Sequence, residues 1–147
     1  MNNNDFIVSW EQFHRDTGTL TEILRPLGPW SKIVAVTRGG LFPTAIIARE
    51  LSIRIIDTVC IASYKGREQK PLTILKKIDL SNNDRILFVD DLVDTGETAR
   101  SVRELYPHAH YAVVYAKPVG KPFVHSYVTE VEQERWIIFP WDAPAEQ

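Results

Sequence analysis

The chain reads as an α/β protein, a three-layer arrangement in which helices cover both faces of a mostly parallel sheet. Three observations predict it. Short apolar runs that suit buried strands alternate with stretches of helical spacing. Two strand-to-helix turns carry glycine, "TRGG" at Thr37 to Gly40 and "DTGET" at Asp94 to Thr98. A length of 147 residues, 44% hydrophobic and 24% charged, suffices for one ordinary core. Strands that alternate with helices pair in parallel through right-handed crossovers, which fixes the layers. One domain over 1–147 is expected, since no repeat, low-complexity tract or linker interrupts the chain.

Trp10, Phe13, Leu20, Ile23, Leu24 and Leu27 mark a helix, interrupted by Gly18 and closed by the Gly28-Pro29 pair. "KIVAV" (Lys32 to Val36) is a strand ending at "TRGG", and "FPTAIIAREL" (Phe42 to Leu51) a helix with Pro43 where a first turn accepts it. Strands follow at "RIIDTVCIASY", "LTILKKI" and "RILFV" (Arg85 to Val89), the first two separated by the polar stretch "KGREQKP". A helix at about 98–106 leads to the strand "HYAVVYA" (His110 to Ala116), and the proline-interrupted tail holds one more, "ERWIIF" (Glu134 to Phe139).

The formal net charge of -2 gives no general attraction to nucleic acid or anionic membranes, so no nucleic-acid partner is expected. Cys60 is the single cysteine, which precludes an intrachain disulfide, suits a reducing cytoplasm, and reads as a packed core thiol. The N-terminus lacks a basic segment followed by a long apolar one, and no apolar run approaches the roughly 18 residues of a membrane span. A soluble cytoplasmic protein is expected, with peripheral membrane association left open. His108 and His110 form an H-x-H beside Pro107 that reads as an ordinary turn before a strand.

In open α/β sheets ligands gather where strand ends meet the following loops. Asp90 and Asp91 stand at the end of an apolar run, with Asp94 close behind. Like charges this close raise each other's cost of ionisation, so the group calls for a cation or a polyhydroxyl ligand between them. The "DTGET" loop adds the hydroxyls of Thr95 and Thr98, a flexible Gly96 and a helix N-terminus suited to phosphate. "TRGG" adds Arg38 and two residues whose backbone can approach an oxyanion. Each loop alone also reads as a mere cap or tight turn.

The run "ILFVDDLVDTGETA" resembles the phosphoribosyl pyrophosphate signature of the type I phosphoribosyltransferases. "VAVTRGGLFPTAIIARELSIR", "DTVCIASY", "YAKPVGKP" and "WIIFPWD" fall in the order and spacing of that family's purine branch, so the likeness covers nearly the whole chain. The resemblance implies the type I phosphoribosyltransferase fold: a mostly parallel five-stranded core sheet, a mobile loop at about 65–72 and a small C-terminal hood at about 117–147. It further implies magnesium (Mg2+) and a purine-salvage transfer of 5-phosphoribosyl from its pyrophosphate to N9 of guanine or xanthine, yielding the nucleoside 5′-monophosphate and pyrophosphate. A homotetramer is the implied assembly.

By the same resemblance Asp90 meets the ribose hydroxyls, Asp91 faces magnesium, and Asp94 exchanges a proton with purine N7 as the catalytic residue. Arg38 and Gly39 form the pyrophosphate loop; Leu92 and Val93 complete the phosphoribosyl pyrophosphate site, with Thr95, Gly96, Glu97 and Thr98 as its 5′-phosphate cradle. Lys117 donates to purine O6, Trp136 stacks on the base, and the Ile137 backbone meets the C2 substituent. Read without the family, Lys117 is a solvated strand-end lysine, and Trp136 and Ile137 belong to the core. Two positions depart from the family: Lys70 stands where its loop arginine belongs, with Arg67 three residues earlier, and Glu97 where a small residue is common. Three other readings are weighed. A phosphoacceptor receiver domain shares the residue types but places its acid pair after the first strand, whereas here it is late. A hypoxanthine-guanine enzyme and a non-catalytic RNA-binding regulator on the same fold are the alternatives within the family.

Overall fold

The computed structural model describes residues 4–62, 73–79 and 84–142. The loop expected at 65–72, with Arg67 and Lys70, lies outside the described residues. In chain order the elements are β1 (Phe6–Ile7), α1 (Trp10–Leu24), β2 (Lys32–Thr37), α2 (Leu41–Glu50), β3 (Ile56–Ala62), β4 (Thr73–Lys76), β5 (Ile86–Val93), α3 (Glu97–Leu105), β6 (His110–Ala116), β7 (Thr129–Glu130) and β8 (Ile137–Ile138). Short 3₁₀ turns occupy Arg25–Leu27 and Lys121–Phe123.

Ser9 starts α1, its hydroxyl accepting the Gln12 N–H at 3.0 Å. The helix runs through Gly18 and ends where Pro26 tightens the chain into the 3₁₀ turn. Its buried face is Phe13, Asp16, Thr17, Leu20, Thr21 and Leu24, a helical spacing the apolar residues alone only half reveal. Trp10 and Ile23, expected on that face, are exposed. Asp16 belongs there because it is satisfied: the Tyr115 hydroxyl donates to it at 2.6 Å and the Gln12 carboxamide at 3.0 Å, tying α1 to β6.

Six strands form the main sheet in the order β4-β3-β2-β5-β6-β7, and every pairing except β3 with β4 is parallel. The five-stranded parallel core is therefore present, with an antiparallel strand added at its edge. Alternation along the strands makes the layers. Ile33, Leu87, Val89, Ala112 and Val114 pack toward α1 and α2, while Val34, Val36, Phe88, Tyr111 and Val113 pack toward α3. Each fully buried aliphatic or Phe side chain contributes about 1.5–3 kcal/mol, so truncating Phe88 would be felt throughout the α3 layer. Cys60, expected as a core thiol, is only half-buried on β3.

The strand expected over "ERWIIF" shrinks to the two residues of β8 and leaves the main sheet to pair in parallel with β1. Phe6 N–H donates to Trp136 C=O at 2.7 Å and Val8 N–H to Ile138 C=O at 2.9 Å. Arg135 supports this contact, its guanidinium donating to Asn4 C=O at 3.2 Å and Asp5 C=O at 3.0 Å. The C-terminal segment is further seated by Trp141, stacked on Phe42 at 4.0 Å and on Phe139 at 4.7 Å. No helix among the described residues is long and apolar enough to cross a membrane.

Candidate active site

From β2 the chain steps outward to β3, and from β5 it steps the other way to β6, so the loops after these adjacent strands diverge and leave a crevice between them. The register shows how it opens. β2 and β5 pair only as far as Ala35 with Val89, whereas β5 and β6 continue to Val93 with Ala116. The acid pair thus lies within a strand that outlasts its neighbour, not beyond the end expected at Val89. The vacated side is filled by the Arg38–Gly40 turn, in which Gly40 N–H donates to Val36 C=O at 2.9 Å. A Cβ on Gly39 would press into the Asp91 carboxylate, and one on Gly40 into the carbonyls of Val89 and Val36. The two glycines therefore serve the close approach of this turn to β5. The Arg38 side chain is exposed at the crevice edge.

Asp90 and Asp91 are half-buried where they reach the crevice. Burial, and next the neighbouring Asp91 charge, push the Asp90 carboxyl well above the ordinary carboxylate range, and the polar influence of the Tyr111 hydroxyl works the other way. Burial raises Asp91 too, with the charge of Asp142 adding to the effect. The same burial and the two carboxylates hold the Tyr111 hydroxyl well above its ordinary value. Asp91 N–H donates to Asp90 Oδ1 at 2.8 Å, which fixes the pair's geometry. A hard cation relieves such a pair more than any neutral ligand, and the all-oxygen donor set suits magnesium. Among the described residues no group of three or more His, Cys, Asp or Glu side chains is arranged to hold a metal. A cation at Asp91 would accordingly draw most of its ligands from water and substrate.

Beyond the pair, residues 90–99 and Tyr111 line a cavity of about 240 Å³. Gly96 sits in the left-handed region, φ 93°, and opens the nine-residue α3. A side chain there would also strike the Phe123 ring, which lies against the loop while Arg103 donates to Phe123 C=O at 3.1 Å. Arg100 N–H closes the first turn on Gly96 C=O at 2.8 Å, leaving the earlier amides free for an anion. Glu97, the departure from the family, is the exposed first residue of α3, where a carboxylate favours the helix N-terminus.

Asp94, which lines the cavity, also meets Lys117. Lys117 is 4% exposed, and its Nζ lies 3.3 Å from Asp94 Oδ2. The lysine is thus buried against a carboxylate, contrary to the solvated strand-end reading. Asp94 keeps about half its side chain exposed, at 47%, so the pair can meet an incoming ligand. Gln133, which sequence reasoning passed over, donates from Nε2 to Asp94 Oδ1 at 2.8 Å. Trp136 is 64% exposed, a free aromatic face rather than a core residue, and Ile137 beside it is buried as expected. Because the Trp136 and Ile138 carbonyls are taken by β1, the alternation of a parallel ladder turns the Ile137 N–H and C=O to the opposite edge. Of the expected site residues, the structure thus gathers Asp90 to Thr98 with Gly39 and Lys117 around one crevice.

The Phosphoribosyl transferase domain family matches residues 7–147. A xanthine-guanine phosphoribosyltransferase of Nitratidesulfovibrio vulgaris is 51% identical over 138 residues, covering 94% of this chain and 85% of the relative. One from Chromohalobacter salexigens is 55% identical over 137 residues, covering 93% and 83%. Among solved structures, a purine phosphoribosyltransferase from Pyrococcus horikoshii superimposes with a TM-score of 0.84 at 29% identity, covering 98% of this chain and 99% of that one.

Proposed function

We propose that this chain, which belongs to the phosphoribosyltransferase family, transfers 5-phosphoribosyl from phosphoribosyl pyrophosphate to N9 of guanine or xanthine in purine salvage, giving the nucleoside 5′-monophosphate and pyrophosphate. The observation that carries the choice of base is the buried Lys117 paired with Asp94. A lysine offers donors only, so it recognises the O6 oxygen of an oxopurine, while the neighbouring carboxylate accepts from, or exchanges a proton with, the N7 position.

As the glycosidic bond to pyrophosphate breaks, negative charge grows on the leaving group and positive charge on ribose C1. Magnesium at Asp91 would screen the pyrophosphate. Asp90 accepts from the ribose diol, and the backbone of the Arg38-Gly39 turn and the Arg38 guanidinium hold the leaving group. Residues Thr95 to Thr98 seat the 5′-phosphate on the α3 N-terminus, with Leu92 and Val93 as the strand floor beneath the sugar. Trp136 covers the base, and the edge of Ile137 faces C2, its C=O available to guanine's amino group and its N–H to xanthine's oxygen. Exposed Ile55, Ile56, Ile74 and Leu75 on and beside the β3-β4 edge supply apolar surface for a homo-oligomer.

The test is a turnover assay with phosphoribosyl pyrophosphate, magnesium and a panel of nucleobases. Formation of guanosine and xanthosine monophosphates with stoichiometric pyrophosphate is the expected result. Absence of turnover with every oxopurine would overturn the reading.

A further inference from the structure

The catalytic carboxylate is held from two sides, and only one holder is explained by recognition of the base. Lys117 approaches Asp94 Oδ2, and Gln133 approaches Oδ1 and, at 3.5 Å, the Asp94 backbone carbonyl. The orientation of the Gln133 carboxamide is fixed by a third partner: the Val119 N–H donates to Gln133 Oε1 at 2.9 Å. With its oxygen occupied by a backbone donor, the amide has only its NH₂ to present to Asp94. Val119 stands in the turn directly after Lys117, whose own N–H donates to Val93 C=O at 2.9 Å and whose C=O accepts the Gly120 N–H at 3.0 Å. A side chain on Gly120 would strike Val93 and the Asp94 carbonyl, so this turn lies flat against the loop that bears Asp94. Gln133 therefore closes a ring running Asp94, Lys117, Val119, Gln133 and back to Asp94.

We propose that Gln133 is a positioning residue that fixes the orientation of the Asp94 carboxylate for proton exchange with the purine. The proposal rests on the reading of Asp94 given above. Without the Nε2 donor, Lys117 is the side-chain partner left to Asp94 among the described residues, and the carboxylate can swing about that contact. Rotation moves the oxygen facing N7 while leaving the acid pair and the phosphate cradle untouched.

The experiment compares wild type, Gln133→Met, Gln133→Glu and Asp94→Asn with guanine, magnesium and phosphoribosyl pyrophosphate. Gln133→Met keeps length and loses the donor; its kcat is expected to fall about 5- to 30-fold with the KM for phosphoribosyl pyrophosphate unchanged. Gln133→Glu sets two carboxylates together at neutral pH, whereas a protonated Glu again donates to Asp94 and accepts from Val119. Its activity relative to wild type should therefore recover between about pH 8 and about pH 6, while the Gln133→Met ratio stays flat. A purely structural residue would lower the melting temperature in both variants without this pH-dependent rescue. Wild-type kcat in Gln133→Met, or parallel pH profiles for the two variants, would overturn the proposal. If wild type turns over and Asp94→Asn is impaired while Gln133→Met is not, the role of Gln133 falls and that of Asp94 stands. An unimpaired Asp94→Asn removes the reading on which both rest.

Discussion

Lys117 Nζ lies 3.3 Å from Asp94 Oδ2, joining the end of β6 to the loop after β5. The lysine is buried, so it has shed most of its water, while the carboxylate remains half in solvent. Such a pair is held ready for a ligand that can replace the missing hydration: an oxopurine brings an acceptor for the ammonium and an N7 edge for the carboxylate.

Replacing Asp94 with Asn keeps the shape and removes the proton acceptor. kcat should fall by about 10²–10⁴, while magnesium and phosphoribosyl pyrophosphate still bind with near wild-type affinity. Single-turnover kinetics with calorimetric binding checks both halves; an unchanged chemical step would rule out proton exchange at Asp94.

Gly39→Ala places a methyl group against the Asp91 carboxylate. Either the turn or the acid must shift, and overpacking of this kind costs about 1–3 kcal/mol. The expected outcome is a lower melting temperature together with weaker magnesium-dependent binding of phosphoribosyl pyrophosphate. A variant with wild-type binding would show that the turn accommodates the methyl group without moving Asp91.

Asp91→Asn should act on stability and binding in opposite directions. Burial already penalises ionisation of Asp91, so the neutral amide should raise the melting temperature of the ligand-free protein by a few degrees. The same change should abolish the stabilisation that magnesium with phosphoribosyl pyrophosphate gives wild type. Thermal unfolding with and without ligand reads both; a destabilised apo variant would contradict the electrostatic account.

At the opposite end of the sheet, burial, and then the charges of His125 and Arg85, lower His110 to about 4. The folded protein keeps this ring neutral while the unfolded chain takes up a proton near pH 6.5, so the unfolded state binds more protons across the interval. Stability attributable to His110 is thus full above about pH 6.5 and is lost as the pH falls toward about 4. His125, also lowered by burial, adds in the same direction, and the raised Asp90 opposes it. Subtracting His110→Gln from wild type isolates the ring. Urea unfolding at about pH 7 and about pH 4.5 should show wild type losing more stability than the variant; equal losses would contradict the assignment.

The main sheet was legible because its strands are local apolar runs, and the crevice because Asp90, Asp91, Asp94 and Gly96 crowd into one short stretch at the end of β5. What stayed hidden depends on contacts between distant residues. β1 and β8 are two residues each and join Phe6 to Ile137, leaving no periodicity to read. Gln133 reaches Asp94 across 39 positions, and Tyr111 reaches Asp90 from the next strand, both looking like ordinary polar or aromatic residues in their own segments. Asp16 hides within a helix face because its partner, Tyr115, is 99 residues away. Lys117 and Trp136 reverse what residue type alone suggests: the charged residue is buried where a carboxylate meets it, and the aromatic one is exposed.

The most direct test of the account is competition among guanine, xanthine, hypoxanthine and adenine at fixed phosphoribosyl pyrophosphate and magnesium. Lys117 requires an acceptor at C6, which adenine's amino group does not provide, so adenine should fail. The Ile137 edge leaves a polar group unpaired when C2 carries only hydrogen; one lost hydrogen bond of about 1–3 kcal/mol corresponds to about 5- to 150-fold in kcat/KM. Guanine and xanthine should therefore outcompete hypoxanthine by a factor in that range. Hypoxanthine used as well as both, or any turnover of adenine, would contradict the assignment of Lys117 and Ile137 to base recognition.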